Sequence, residues 1–139
     1  MYTTIINKIK TILEGIPAIK AIYAYPLEGS PKTFPAVVFF PDTFSNLIDT
    51  TQTNKKEYKF KMWIMIDISG TTEQAVFTDI LPKTVDKVVA ELDSKWNDFI
   101  GSHRAWLTVD SGVWGLSVEN KSTRAFAELS ITYNVSNDV

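Results

Sequence analysis

Between residues 57 and 68 the apolar side chains fall on every second position: Tyr58, Phe60, Met62, Ile64, Ile66 and Ile68. Lys59, Lys61, Trp63, Met65 and Asp67 fill the alternate positions. A period of two belongs to a strand, because successive side chains leave opposite faces of the pleat. A helix would scatter the same residues around its circumference. The segment therefore predicts a long strand with one well-buried face, and a chain built around it is a sheet protein. Trp63 and Met65 on the second face predict that a helix or a neighbouring subunit covers part of it.

The flanking sequence supplies helices and further strands. Ile5, Ile9, Ile12, Leu13 and Ile16 recur at helical spacing, which predicts an amphipathic helix over 4–14. Thr3 or Thr4 can cap its start. Gly15, by a left-handed turn, and Pro17, by its missing N–H, stop it. Residues 19–25 predict a short strand, followed by a loop at Pro26, Gly29, Ser30 and Pro31. The run 35–40, bounded by Pro35 and Pro41, predicts a strand buried on both faces. Residues 41–56 are polar and rich in Thr, Asn and Asp, so they read as a long loop or hairpin tip. Phe44, Leu47 and Ile48 lie in it and either tuck under the domain or bury against a partner.

Ser69-Gly70 predicts a turn, and Thr71 followed by Gln74 fits a capping box. A long helix then runs to about Asn97, its apolar face marked by Val85, Val88, Val89, Leu92, Trp96 and Phe99. Pro82 either kinks this helix or opens a second one at Leu81; the kink is preferred. Residues 103–109 and 113–119 read as strands joined by a turn at Asp110-Ser111-Gly112. After a second turn at Asn120-Lys121-Ser122, residues 123–135 alternate as a long antiparallel strand with one wet face. Strands interrupted by one long helix imply α+β. The expectation is a single domain over 1–139: a four- to five-stranded, mostly antiparallel sheet with two helices packed on one face.

Composition excludes several chemistries. The chain has no cysteine, so it has no disulfides, no thiol nucleophile and no sulfur-ligated zinc. Its one histidine, His103, would have to serve any serine triad, with Ser102 and Asp110 as neighbours in sequence. No Gly-x-Ser-x-Gly elbow accompanies them. The carboxylates Asp42 and Asp49 in the 41–56 segment, and Asp86, Glu91, Asp93 and Asp98 assigned to the second helix, follow no calcium-loop pattern and read as solvated charge. Glu28, Glu57 and Glu119 carry no motif, and no glycine-rich phosphate loop is present. The expectation is a protein that is not an enzyme and has no cofactor.

Net charge is −2, which supplies no polyanion-binding footprint. Lys55, Lys56, Lys59 and Lys61 make the densest basic patch and read as a solvated edge that discourages strand pairing. Asn120-Lys121-Ser122 and Asn134-Val135-Ser136 match the glycosylation triplet by chance, since Met1–Leu13 has no continuous apolar stretch of the length a secretory signal needs. No segment reaches the roughly 18 apolar residues of a membrane span. A cytoplasm, or a particle assembled there, is the expected location. Four tryptophans are many for 139 residues. Trp96 is expected in the core. Trp106 and Trp114 flank the 110–112 turn, where apolar residues at adjacent positions imply that both hairpin faces are covered. Core packing or a subunit contact accounts for them equally.

The order of elements is a short amphipathic helix, then the strand entry Phe34-Pro35-Ala36-Val37-Val38. A long alternating strand at Tyr58–Ile68 follows, then a long helix, a Trp-bearing hairpin and a last strand from Arg124-Ala125. This order resembles the tail terminator, or tail-completion, proteins of long-tailed bacteriophages over nearly the whole chain. The resemblance implies a non-enzymatic virion protein of the tail and neck, assembled in the host cytoplasm. It implies a ring, hexameric in that family, which caps the tail tube, ends its polymerisation and offers a joining surface to the head connector. DNA would pass through the lumen without being read, and no membrane is involved. Head-to-tail contacts in such a ring need two different patches per subunit. The 41–56 segment and the 106–116 hairpin supply the candidates Phe44, Leu47, Ile48, Trp106 and Trp114, and Trp63 on the second face of the 57–68 strand is a further candidate. Pro82 departs from a straight long helix. The competing readings are a dimeric α+β domain that binds a small molecule or regulates, and another neck or head-tail connector protein.

Overall fold

The computed structural model describes residues 1–27, 31–48, 53–68, 73–95, 97–100, 103–119 and 122–138. Helix α1 (Tyr2–Glu14) leads into strand β1 (Ala21–Tyr23). Strands β2 (Ala36–Ile48) and β3 (Thr53–Asp67) follow. A helical segment comes next, made of α2 (Glu73–Ala75), a π-helical turn (Val76–Ile80) and α3 (Leu81–Ser94). Strands β4 (Asn97–Ile100), β5 (His103–Glu119) and β6 (Ser122–Asp138) complete the chain. The six strands form one sheet in the order β1-β2-β3-β6-β5-β4. Among the described residues only the β1–β2 pair is parallel; the others are antiparallel. The α+β class holds, with one strand more than expected.

The alternation in β3 does what its period predicts. Phe60, Met62 and Ile64 are buried on one face, beside Phe39 of β2 and Ile131 and Tyr133 of β6. Both helices cover that face, α1 with Ile5, Ile9 and Leu13 and α3 with Val85, Val88 and Leu92. α1 begins two residues earlier than expected: Met1 is its N-cap, without a side-chain cap, and neither Thr3 nor Thr4 serves. Tyr2 anchors the start instead, packing edge-on to Tyr58 at 4.8 Å and Phe60 at 5.9 Å. Gly15 ends the helix with ordinary right-handed geometry (φ −76°), its N–H reaching Thr11 and Ile12 carbonyls, so no left-handed turn is needed.

α3 opens at Leu81, the alternative to the preferred kink, with helical backbone running on into it from the π turn. The Leu81 N–H bonds back to the Val76 carbonyl, five residues earlier, and Pro82 sits in the first turn of α3. A wider turn there removes the clash that a proline ring makes with the carbonyl four residues before it. The helix stops at Ser94, so Asp98 and Phe99 belong to β4, paired with Ala105 and Arg104. Trp96, the Ser69-Gly70 turn and the Thr71 cap lie outside the described residues.

Two further expectations are corrected. Of the two readings of residues 41–56, the loop fails and the hairpin holds: β2 runs to Ile48 and β3 starts at Thr53, with Ile48 opposite Asn54. Their polar composition reflects a hairpin arm that extends beyond the helix layer, where one face or both meet water. Asp110-Ser111-Gly112 is not a turn either. β5 is continuous through it, with a bulge between Val109 and Ser111 against β6. Trp106 and Trp114 therefore sit on one strand and do not flank a hairpin. Nor is the second face of β6 fully wet, since Thr132 and Asn134 are buried there.

Candidate functional site

Sheet edges hold the least satisfied backbone in a fold of this kind, because each edge strand presents unpaired N–H and C=O groups. Here the outermost strands are short. β1 pairs only with Ala36–Val38 of β2, and β4 pairs only with His103–Trp106 of β5. Among the described residues, the edge of β2 from residue 39 to 48 and the edge of β5 from 107 to 119 carry no further strand. β1 and β4 cover opposite ends of the sheet, because Ala36 lines up through Met65 and Phe126 with Gly115, not with the start of β5. The two open edges therefore lie at diagonally opposite corners.

Each open corner carries exposed apolar side chains. Phe44 is 63% exposed, and Val113, Trp114 and Leu116 are 61%, 50% and 48% exposed. Phe44 stacks on Tyr58 at 6.5 Å, on the face the helices occupy but past their reach. Trp114 and Leu116 pair with Ala127 and Ala125, whose side chains are in the core, so they too lie on the helix side. A bulge precedes each group: one between Pro41 and Thr43, one between Val109 and Ser111. A bulge adds one residue and reverses which side chains face which way. Without that reversal Phe44 and Trp114 would lie on the other face of the sheet. Leu47 and Ile48 are placed in β2 by their backbone; their side chains lie outside the described residues.

The helix-free face is a different surface. Trp63 meets Phe40 edge-on at 5.6 Å and borders a cavity of about 220 Å³ with Met65, Phe126 and Glu128. Among the described residues no helix covers it, and Trp63 and Met65 stay half-buried there. The Trp63 indole N–H is buried without a hydrogen-bond partner. Gly115 lies beneath the Phe126 ring, where a Cβ would stand 2.7 Å from Cζ. Trp106, half-buried, holds the Lys55 ammonium 5.4 Å from its ring. The sequence brings Trp63 and Trp106 to one face and Phe44 and Trp114 to the other, at opposite corners.

Charges on the helix-free face are largely paired. Lys55 meets Glu57 at 3.4 Å, Lys61 meets Glu128 at 3.5 Å, and Arg124 meets Asp67 at 3.1 Å. β3 is a central strand, so Lys59 and Lys61 do not guard an edge as expected; they stand on the open face of the sheet. Asp110 accepts hydrogen bonds from Thr108 Oγ1 at 3.0 Å and from Thr132 Oγ1, which fixes the bulge. Its carboxylate is thereby committed to hydroxyls and not to His103, which is paired with Ile100 at the start of β5. Ser102 lies outside the described residues. Beside this bulge is an open polar trough of about 580 Å³, with Asp42, Lys59 and Asn134 among its lining residues. Among the described residues no cluster of three or more His, Cys, Asp or Glu side chains is placed to hold a metal ion.

At the Phe44 corner, burial raises the pKa of Tyr2, and burial followed by the charge of Tyr2 raises that of Tyr58. Both phenols are neutral at physiological pH and act as packing groups. Among the described residues no helix is long and apolar enough to cross a membrane. Compared with known proteins, the chain matches no protein-family model and no curated protein sequence.

Proposed function

We propose that this chain is a structural subunit of a phage tail terminator ring, which caps the tail tube, ends its growth and presents the joining surface for the head. The reading starts from the order of elements in the sequence. The observation that carries it is the pair of uncovered strand edges at opposite corners, each with exposed apolar residues. A ring with cyclic symmetry joins a head to a tail, and so requires two unlike surfaces on well-separated parts of each subunit. Exposed apolar side chains beside unpaired backbone mark such surfaces. The paired charges on the helix-free face add a second support. A lumen that DNA must traverse gains nothing from a strong field of either sign. Partners on this reading are further copies of the chain, the tube protein and the head connector, in a virion.

The test is mass by light scattering over a concentration and magnesium series, with negative-stain images of the same samples and of samples mixed with tail tubes. Closed rings, alone or on tube ends, support the proposal. A stable closed dimer that leaves tube ends bare would refute it and favour a dimeric binding or regulatory domain.

A further inference from the structure

We infer that the two open edges bind each other: the β2 edge of one copy adds antiparallel to the β5 edge of the next, seating Phe44 against Trp114 and Leu116. This names the contact behind the proposed ring and rests on that reading.

Strand direction comes first. β2, β3, β6 and β5 are successively antiparallel, so β2 and β5 run in opposite directions within one subunit. A second copy placed alongside in the same orientation therefore presents β2 antiparallel to β5, the better-bonded of the two arrangements. Blocking strands then set the register. β1 closes β2 through Val38, and β4 closes β5 through Trp106. Pro41 has no N–H to give, and the chain bulges immediately after it, so the regular open run of β2 starts at Thr43. The regular open run of β5 starts at Ser111, after its own bulge. Setting 43–48 antiparallel to 112–117 puts Phe44 opposite Leu116, with Trp114 its diagonal neighbour on the same face. Achieving this needs the copies to be staggered along the strands, as the tilted strands of any closed sheet are.

Side-chain facing agrees independently. Phe44 pairs with Tyr58, and Trp114 and Leu116 pair with Ala127 and Ala125, so all three project to the helix side. In a continuous sheet they would be cross-strand neighbours, where aromatic pairs interact best. The same three residues are among the most exposed apolar side chains of the described fold. Two edges of matching direction and matching face on one chain make a second copy the occupant.

The chain has no cysteine, so paired cysteines report the contact cleanly. The single variants Phe44→Cys, Trp114→Cys and Leu116→Cys replace exposed residues and are expected to fold. Under mild oxidation, mixing the Phe44→Cys variant with either of the other two should give a covalent dimer. Each alone should remain largely uncrosslinked. Doubly substituted chains carrying Phe44→Cys with Trp114→Cys should give a ladder of products longer than dimers. Crosslinking of Phe44→Cys to itself would overturn the inference in favour of a two-fold contact. A double variant that stops at dimers would overturn the ring as well. Rings that form without any crosslink from position 44 to 114 or 116 would overturn this contact and leave the ring proposal standing.

Discussion

Replacing Phe44 with Asp should separate folding from assembly. Phe44 keeps 63% of its surface exposed in the isolated subunit. A Phe side chain presents about 170 Å², so roughly 65 Å² is already covered, mainly by Tyr58. At about 25 cal/mol per Å², the loss to the monomer is about 1.6 kcal/mol. That is a fraction of the roughly 5–15 kcal/mol that holds a domain of this kind together. It should lower Tm by about 5 °C and leave the circular dichroism spectrum unchanged. The uncovered area, about 105 Å², is what a neighbouring copy would bury, worth about 2.6 kcal/mol. Losing it weakens each subunit contact about eightyfold. A carboxylate left in the interface adds a desolvation penalty, so eightyfold is a floor. The assay is a thermal melt alongside light-scattering mass at several concentrations. Unfolding of the variant would show that Phe44 belongs to the core. Assembly at the wild-type concentration would show that the β2 edge is not an interface. Either result refutes the reasoning.

Three other outcomes follow from the packing. Gly115→Ala would place a methyl 2.7 Å from Cζ of Phe126, so the ring must turn aside; forcing it off its rotamer costs about 0.5–1.5 kcal/mol. Adding Phe126→Ala should relieve it, and a denaturation double-mutant cycle showing strict additivity would contradict the contact. Leu92→Ala removes a fully buried α3 side chain and should cost about 2–5 kcal/mol by urea denaturation; a loss under about 1 kcal/mol would mean that α3 is not packed as described. Burial raises the pKa of Tyr2 and Tyr58 in the folded chain. Their contribution is therefore complete below the unfolded value of about 10 and is lost as pH rises through the higher folded values. Tyr58→Phe should flatten the fall in stability above about pH 10, and an unchanged alkaline slope would refute that assignment.

The layered core was legible because its signals are local and periodic. Even positions from Tyr58 to Ile66 point inward over β3, and Ile5, Ile9 and Leu13 recur at the spacing that buries one face of α1. Less legible were features decided by pairing partners. Polar composition at 41–56 suggested a loop or a hairpin tip, yet both strands run far into it; a strand on an extended arm is free to be polar, because among the described residues no helix sits over it. Asp110-Ser111-Gly112 has the residues of a turn, and the same residues suit a bulge, which also needs irregular backbone. The Thr108 and Thr132 hydroxyls on Asp110 decide between them, and Thr132 comes from another strand. Pro82 allowed two outcomes, and the wider π turn before it accommodates the ring at the first turn of α3.

Both bulges nevertheless leave a trace in the sequence: a change of phase. In β5 the residues on the helix side are Ala105 and Leu107, at odd positions, and then Trp114 and Leu116, at even ones. In β2 the phase passes from Val37 and Phe39 to Phe44. Strict alternation cannot make that shift without one extra residue, so each break locates a bulge. In each strand the residues beyond the break are the exposed ones. The bulges thus carry apolar side chains onto the helix face at the two places where no helix covers them. A fold that needed only to be stable would gain from polar residues there. Retaining Phe44, Trp114 and Leu116 on a common face, beside unpaired backbone at opposite corners, is accounted for if these edges meet in an assembly.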